Sequence, residues 1–275
     1  MAWAAAEALS LGAPIHLISA LDLDAPAISG ASAIALDSVA EGLESGTRTV
    51  LEEAAARLSS LAPGVGVSAQ LVAGKAARAL LDASATAAVV VLGSARAGAL
   101  QQLLLGTTSI SVVALAKCPV VVVGAQVPVG GDIVVAVDGS AHSAAALDYA
   151  FASAQRLGCG VQALAVWYVE IVDRVVATTP GSPQFEQVQA HYREMVDRVV
   201  APRQAAYPQV PITVEVRRGS VPKVLVESAA NARLLVLGTR GRGGIKGLLL
   251  GSVSRKVLNS ATVPVAVLTA TSTPR

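Results

Sequence analysis

A chain of 275 residues with 53% hydrophobic and 15% charged residues has the apolar material for two sizeable cores, which excludes wholesale disorder. Aromatics are only 3%, so those cores must be built from Ala, Val and Leu. Residues 1–130 hold 6 Lys/Arg and 9 Asp/Glu, a net of −3, whereas residues 131–275 hold 15 and 10, a net of +5; any anion-binding role belongs in the second half.

In chain order, the sequence opens inside a predicted helix at Ala2-Trp3-Ala4. Glu7 is the first charge and no basic segment precedes an apolar run, which speaks against a secretory signal. Mean hydropathy is +0.59, yet the longest charge-free stretch, Ala97 to Ala116, contains Gln101, Gln102, Gly106, Thr107, Thr108, Ser109 and Ser111. That is no spanning helix, so no membrane partner is expected. Cys118 and Cys159 are isolated, suggesting neither a disulfide framework nor a zinc site, and the expected compartment is the cytoplasm. Val120 to Val123 reads as a short apolar strand, and a Pro/Gly segment from Val127 to Asp132 follows.

Beyond that linker, Ile133 to Val137 is a strand ending at Asp138-Gly139-Ser140, with Ser140 placed to cap a helix through Ala144, Leu147 and Phe151 to Leu157. Val161 to Trp167 is a second strand. A loop with Pro180, Gly181 and Pro183 leads to a helix from about Gln184 to Pro202. Val210 to Val216 alternates as a third strand, Val221 to Asn231 is helical, and Leu234 to Leu237 is a fourth strand. A Gly-rich loop, a helix from Ser252 to about Asn259 and a last strand, Val263 to Leu268, complete the half. Short Val/Leu runs alternating with helices predict a parallel sheet covered on both faces.

The two halves repeat. At an offset of 145, Gly74 falls on Gly219, Leu80 on Leu225, Val91-Leu92-Gly93 on Val236-Leu237-Gly238, Leu103 to Gly106 on Leu248 to Gly251, Ser109 on Ser254, and Pro119-Val120 on Pro264-Val265. Gly12 answers Gly158 at 146. The expected architecture is α/β, two tandem doubly wound, Rossmann-like parallel-sheet domains over residues 1–127 and 131–270. The segment matching Ile133 to Ala146 has no counterpart after Met1, so the first domain of this chain lacks its first strand. Either the natural start lies upstream, or the first domain is truncated and leans on the second.

In open sheets ligands sit beyond the carboxyl ends of the strands, where the winding reverses. Gly238-Thr239-Arg240-Gly241, nine residues, then Gly251-Ser252 stands at that place. Glycine permits close backbone approach and positive φ, and Ser252 opens a helix whose free N–H groups suit a phosphate. Arg240, Arg242 and Lys246 add charge, the last two read as solvated. No P-loop and no G-x-G-x-x-G is present, since Lys246 stands where the last glycine is needed.

This spacing, with Val-Asp-Gly-Ser after the first strand of the second copy, resembles the universal stress protein family over nearly the whole chain. The resemblance implies a HUP-type sheet of strand order 3-2-1-4-5 and an ATP site, with or without Mg. Asp138 would contact adenosine and Val166 would pack near the base; Gly238, Arg240, Gly241, Gly251, Ser252, Val253 and Ser254 would hold ribose and phosphates. The first copy has Arg96 in place of the second glycine and Ala95 in place of Arg240, so one competent site per chain is expected.

No catalytic set stands out. His16, His142 and His191 lie in different segments, and metal ligation is not expected. His142 reads as a surface residue, with approach to the phosphates as the alternative; Ser140, Ser252 and Ser254 read as caps or phosphate donors. The leading function is an ATP-binding regulatory module in a stress response, at most a weak ATPase. Its partners are an adenine nucleotide and a domain pairing through the last strands, within the chain or in a homodimer. The alternatives are an adenine-nucleotide hydrolase-like enzyme and a non-nucleotide interaction protein. Nucleic acid is disfavoured because basic residues are scattered and aromatics few.

Overall fold

In the computed structural model the described residues are 1–22, 33–93, 95–96, 103–104, 106–124, 128, 130–168, 181–241 and 250–270. In the first region the elements are α1 (Ala2–Leu11), β1 (Ile15–Leu21), α2 (Ala33–Leu61), β2 (Val67–Ala73), α3 (Ala76–Ala83), β3 (Val90–Gly93), β4 (Ala95–Arg96), β5 (Leu103–Leu104), α4 (Thr107–Leu115) and β6 (Val120–Val123). In the second they are β7 (Ile133–Ala136), α5 (Ala141–Leu157), β8 (Val161–Trp167), α6 (Pro183–Ala206), β9 (Ile212–Arg218), α7 (Val221–Ser228), β10 (Leu234–Gly238), α8 (Ser252–Ser260) and β11 (Val265–Leu268).

The backbone repeats as the sequence does. Gly12 and Gly158 close α1 and α5 in the left-handed conformation, at φ 61° and 63°, which glycine adopts without steric cost. Gly74 donates to the carbonyl of Leu21, and Gly219 to that of Trp167. Gly106 and Gly251 stand at the N-caps of α4 and α8 in the same extended conformation.

The chain divides into two compact units, Met1–Ala83 and Ser84–Arg275. In the first, β1 and β2 pair in parallel from Ile15↔Val67 to Leu21↔Ala73. One face of the pair packs Ile15, Leu17, Val65 and Val67 against Ala5, Leu58 and Ala62. The other face is polar, with His16 Nδ1 2.7 Å from Ser68 Oγ and Nε2 3.3 Å from Gln70 Oε1. The repeat places a similar cross-strand pair on β8 and β9, where Gln162 Nε2 donates to Glu215 Oε2 at 2.6 Å. His16 is therefore a rung of a strand ladder.

The second unit holds a seven-stranded sheet of order β3-β6-β11-β10-β7-β8-β9. Every neighbouring pair is parallel except β6 and β11, which run antiparallel with Val122, Val121 and Val120 opposite Val265, Ala266 and Val267. The last strands of the two regions thus pair with each other inside one chain. Within residues 133–268 the order β9-β8-β7-β10-β11 is the expected 3-2-1-4-5. The first region contributes that order only as its two outer pairs, β2-β1 and β3-β6.

Strands β6 and β11 are buried along their whole length, which their uninterrupted Val/Ala/Leu sequences permit, since both sheet faces are covered. Two of the few aromatics anchor the core: Phe151 and Trp167 are among the largest fully buried side chains. Several boundaries differ from the sequence expectation: α7 ends at Ser228 rather than Asn231, β11 begins at Val265 rather than Val263, and two further differences have a visible cause. Helix α6 runs through Pro202 to Ala206, although proline removes an intrahelical donor. Arg203 holds that last turn by donating to the Val199 and Ala144 carbonyls and to the Asp148 carboxylate at 2.7 Å. Strand β9 starts at Ile212, after a turn in which Val210 N bonds the Tyr207 carbonyl. Among the described residues no helix is long and apolar enough to cross a membrane.

Candidate functional site

Strand β7 ends in Val137-Asp138-Gly139-Ser140, and this turn sets the first wall of the site. Gly139 takes φ 77°, and Asp138 Oδ1 accepts from Ser140 N at 2.9 Å. That local bond fixes the carboxylate. Ser140 Oγ then accepts from Ser143 N at 3.2 Å, the N-cap of α5. Asp138 Oδ2 faces the backbone of Gly241: a Cβ built there would lie 2.5 Å from it.

The second wall follows β10, the neighbour of β7 in the sheet. Thr239 N donates to the Leu268 carbonyl at 2.8 Å, and the Thr239 carbonyl accepts from Gly251 N at 2.8 Å. Ser254 Oγ donates to the carbonyls of Gly238 at 2.8 Å and Thr239 at 3.1 Å. Both ends of the nine-residue connection are therefore pinned together, and Ser254 is buried in doing so. Arg242 and Lys246 lie outside the described residues. Replacing Ser254 with alanine should cost about 1–2 kcal/mol, read as a lowered urea midpoint.

Each glycine of the motif has a steric reason, but a different one from positive φ. None of Gly238, Gly241 and Gly251 adopts it. A Cβ at Gly238 would meet the His142 Cβ at 2.5 Å, and one at Gly251 the Thr239 carbonyl at 2.9 Å. Contrary to the expectation of left-handed backbone, these glycines are demanded by close packing of α5, Asp138 and the loop itself.

Helix α8 starts at Ser252 with Gly251 as N-cap and no side-chain cap. Its first-turn N–H groups, from Ser252, Val253 and Ser254, have no intrahelical acceptor and stand at the positive end of the helix dipole. Ser252 and Arg240 are exposed; Val253 is half-buried. Val166 is half-buried on β8, one residue from its end. The next residue, Trp167, is buried against Phe185 and Tyr192 of α6, with the Arg218 guanidinium 5.8 Å from its ring. The structure therefore brings Asp138 and Gly241 together, ties Gly238, Gly251 and Ser254 to one loop, and places Val166 on the adjoining strand.

Two features were not legible in the sequence. Thr239 is buried, and its Oγ1 has no hydrogen-bond partner among the described residues. His142, expected at the surface, is half-buried against Gly238. Burial and the nearby Arg240 hold its imidazole below the ordinary histidine value, with Asp138 opposing. A helical-turn count would have placed His142 near Ser140, but only the missing side chain of Gly238 explains how closely α5 approaches β10.

Among the described residues no group of three His, Cys, Asp or Glu side chains could hold a metal ion. Cys118 is buried; burial pushes the Cys159 thiol up, with Arg233 opposing. A groove of about 420 Å3, lined by Ser220, Pro222, Lys223, Val226, Glu227, Lys256 and Ser260, shares no residue with the site just described.

The fold defines a doubly wound α/β protein whose candidate site lies between the carboxyl ends of β7 and β10, where the winding reverses. The profile of the universal stress protein family matches residues 1–124 and 131–269. The chain belongs to that family, with two such regions in tandem. A universal stress protein of Mycolicibacterium smegmatis is 35% identical over 274 residues, covering 97% of this chain and 90% of the relative. One from Mycobacterium tuberculosis is 39% identical over 194 residues, 68% of this chain and 64% of that protein's length. The crystal structure of a universal stress protein from Archaeoglobus fulgidus superposes with a TM-score of 0.73 at 20% identity, covering 98% of this chain and 92% of that one. At that identity the likeness speaks to the fold alone.

Proposed function

We propose that the second region, residues 131–270, is a nucleotide-binding domain that takes ATP, with or without Mg, and acts in the cytoplasm as a regulatory module of a stress response. The observation that carries this reading is the contact of the Asp138 carboxylate with Gly241 across neighbouring strand ends, beside an uncapped helix start. The donor set suits the ligand. Asp138 Oδ2 is an acceptor for the hydroxyls of a ribose, whereas Ser252 N, Val253 N and Ser254 N together with Arg240 supply donors and positive charge for phosphates. Val166 offers an apolar surface beside them for a base. Ser254 acts here through its N–H, its hydroxyl being engaged with Gly238 and Thr239.

Regulation follows from linkage: a ligand that prefers one arrangement of the protein shifts its population toward that arrangement. The first region, residues 1–127, is the degenerate partner in this reading. It carries Arg96 where the second region has Gly241, and its two strand pairs are not joined through a strand matching β7. In this reading hydrolysis is at most slow.

The test is to denature freshly purified protein and identify the released nucleotide, alongside Asp138→Ala and Gly241→Glu. ATP from the wild type and little from either variant is the expected result. Equal release from all three, or none from any, overturns the reading. Turnover of a second substrate at the same loop would favour the hydrolase-like alternative.

A further inference from the structure

The imidazole of His142 is a titratable group at this site that the proposed binding set does not use. Residue 142 lies in the first turn of α5, two residues beyond the cap Ser140, and its Cβ fills the space that a side chain at Gly238 would need. It is half-buried. Among the described residues, two charged groups act on it: Arg240, from the loop after β10, and Asp138, from the end of β7. Its own helix adds the positive end of a dipole. In the proposed reading Arg240 faces the phosphates and Asp138 the ribose, so His142 stands beside both parts of the ligand.

We propose that His142 is a further phosphate-contacting residue of the cradle, one that takes up a proton when the nucleotide's phosphates arrive. The inference rests on the nucleotide reading above and deepens it. Without a ligand, three influences oppose a positive imidazole: partial burial, the Arg240 guanidinium and the N-terminal end of α5. Only Asp138 favours it. A polyphosphate placed beside Arg240 and the start of α8 reverses that balance, because its negative charge offsets Arg240 and attracts the imidazolium directly. The charged ring then donates from both nitrogens, adding a donor at the nitrogen that in the neutral tautomer is an acceptor. The step is a proton uptake from solvent, with no covalent change.

The sign follows by linkage. A site that gains protons on binding holds its ligand more tightly as pH falls. Each unit by which bound phosphate raises the imidazole's value makes the affinity at pH 6 up to about tenfold higher than at pH 8. His142 thus ties occupancy of the site to acidity over the interval around the ordinary histidine value of about 6.5.

The experiment is calorimetric titration of the full chain with ADP and with ATP at pH 6 and pH 8, in buffers of differing ionisation heat. Wild-type protein and His142→Asn are compared on the same ligands, so that ionisation of the nucleotide itself cancels. The expected result is net proton uptake near pH 6.5 in the wild type, reduced in the variant by roughly half a proton per site. The variant should also bind more weakly, by about tenfold at pH 6 and by less at pH 8. Equal proton uptake in both proteins overturns the proposal. Should His142→Asn fail to fold, the imidazole Cε1–H resonance of the wild type serves instead: its midpoint must rise on adding ADP, and an unmoved midpoint overturns the proposal equally. A wild-type protein that binds neither nucleotide refutes the site itself, a result distinct from binding without proton uptake.

Discussion

Gly241→Glu is expected to reduce nucleotide affinity at least a hundredfold, roughly 2.7 kcal/mol, while lowering the urea midpoint by no more than the loss of one hydrogen bond, about 1 kcal/mol. The two effects separate because Gly241 is exposed yet in direct contact with the site. A Cβ there would stand 2.5 Å from Asp138 Oδ2, inside any real contact distance, so the carboxylate must move. Moving it breaks the bond from Ser140 N to Oδ1, which orients the group. The added glutamate then places a second negative charge where phosphates are meant to lie, and like charges at this range repel. Gly241→Ala separates the steric part from the charge and should lose about tenfold, or 1.4 kcal/mol. A double-mutant cycle sharpens this. In an Asp138→Ala background Gly241→Ala should cost almost nothing further, because the atom it displaces is gone, and such non-additivity is the signature of direct contact. Additive losses would show that residues 138 and 241 act separately.

Much of this geometry was legible from residue spacing, for physical reasons that differ from element to element. The offsets of 145 and 146 identify equivalent positions without any structure, and Gly12 and Gly158 do both close helices in the left-handed conformation. Asp138-Gly139-Ser140 read as strand end and cap because each residue type has one local bond to make there. What stayed hidden was tertiary. The glycines of the loop signalled freedom of φ, whereas their actual role is to admit a neighbour, and which neighbour depends on how α5 and Asp138 sit in space. His142 looked exposed for the same reason: its helix face is set by the approach to Gly238. Helix α6 passes Pro202 because Arg203 ties its final turn to α5, a long-range interaction that local propensity cannot carry. The polar partners of His16 on β2, likewise, are separated from it by more than fifty residues.

The pairing of β6 with β11 makes a prediction of the largest stability effect. Val121 is fully buried, opposite the equally buried Ala266 and parallel to Val91 of β3. Val121→Asp puts a carboxyl of similar volume between two apolar strands with no donor to receive it. Burying such a group without a partner costs several kcal/mol, here about 4 kcal/mol or more, against a total of about 5–15 kcal/mol for a domain. The substituted group will resist ionisation, so its folded-state value lies above its unfolded one. The variant should therefore be most destabilised at neutral and alkaline pH and recover stability as pH falls through that raised value. Val121→Ala, which only removes methyl groups, should cost about 2 kcal/mol with no such pH dependence. Because β6 and β11 share one ladder inside a seven-stranded sheet, the loss should not stay local. Amide exchange of β6, β10 and β11 in the wild type should report one common opening free energy, and Val121→Asp should lower all three together. Loss of protection confined to β3 and β6 would show that the antiparallel junction joins two independently stable sheets.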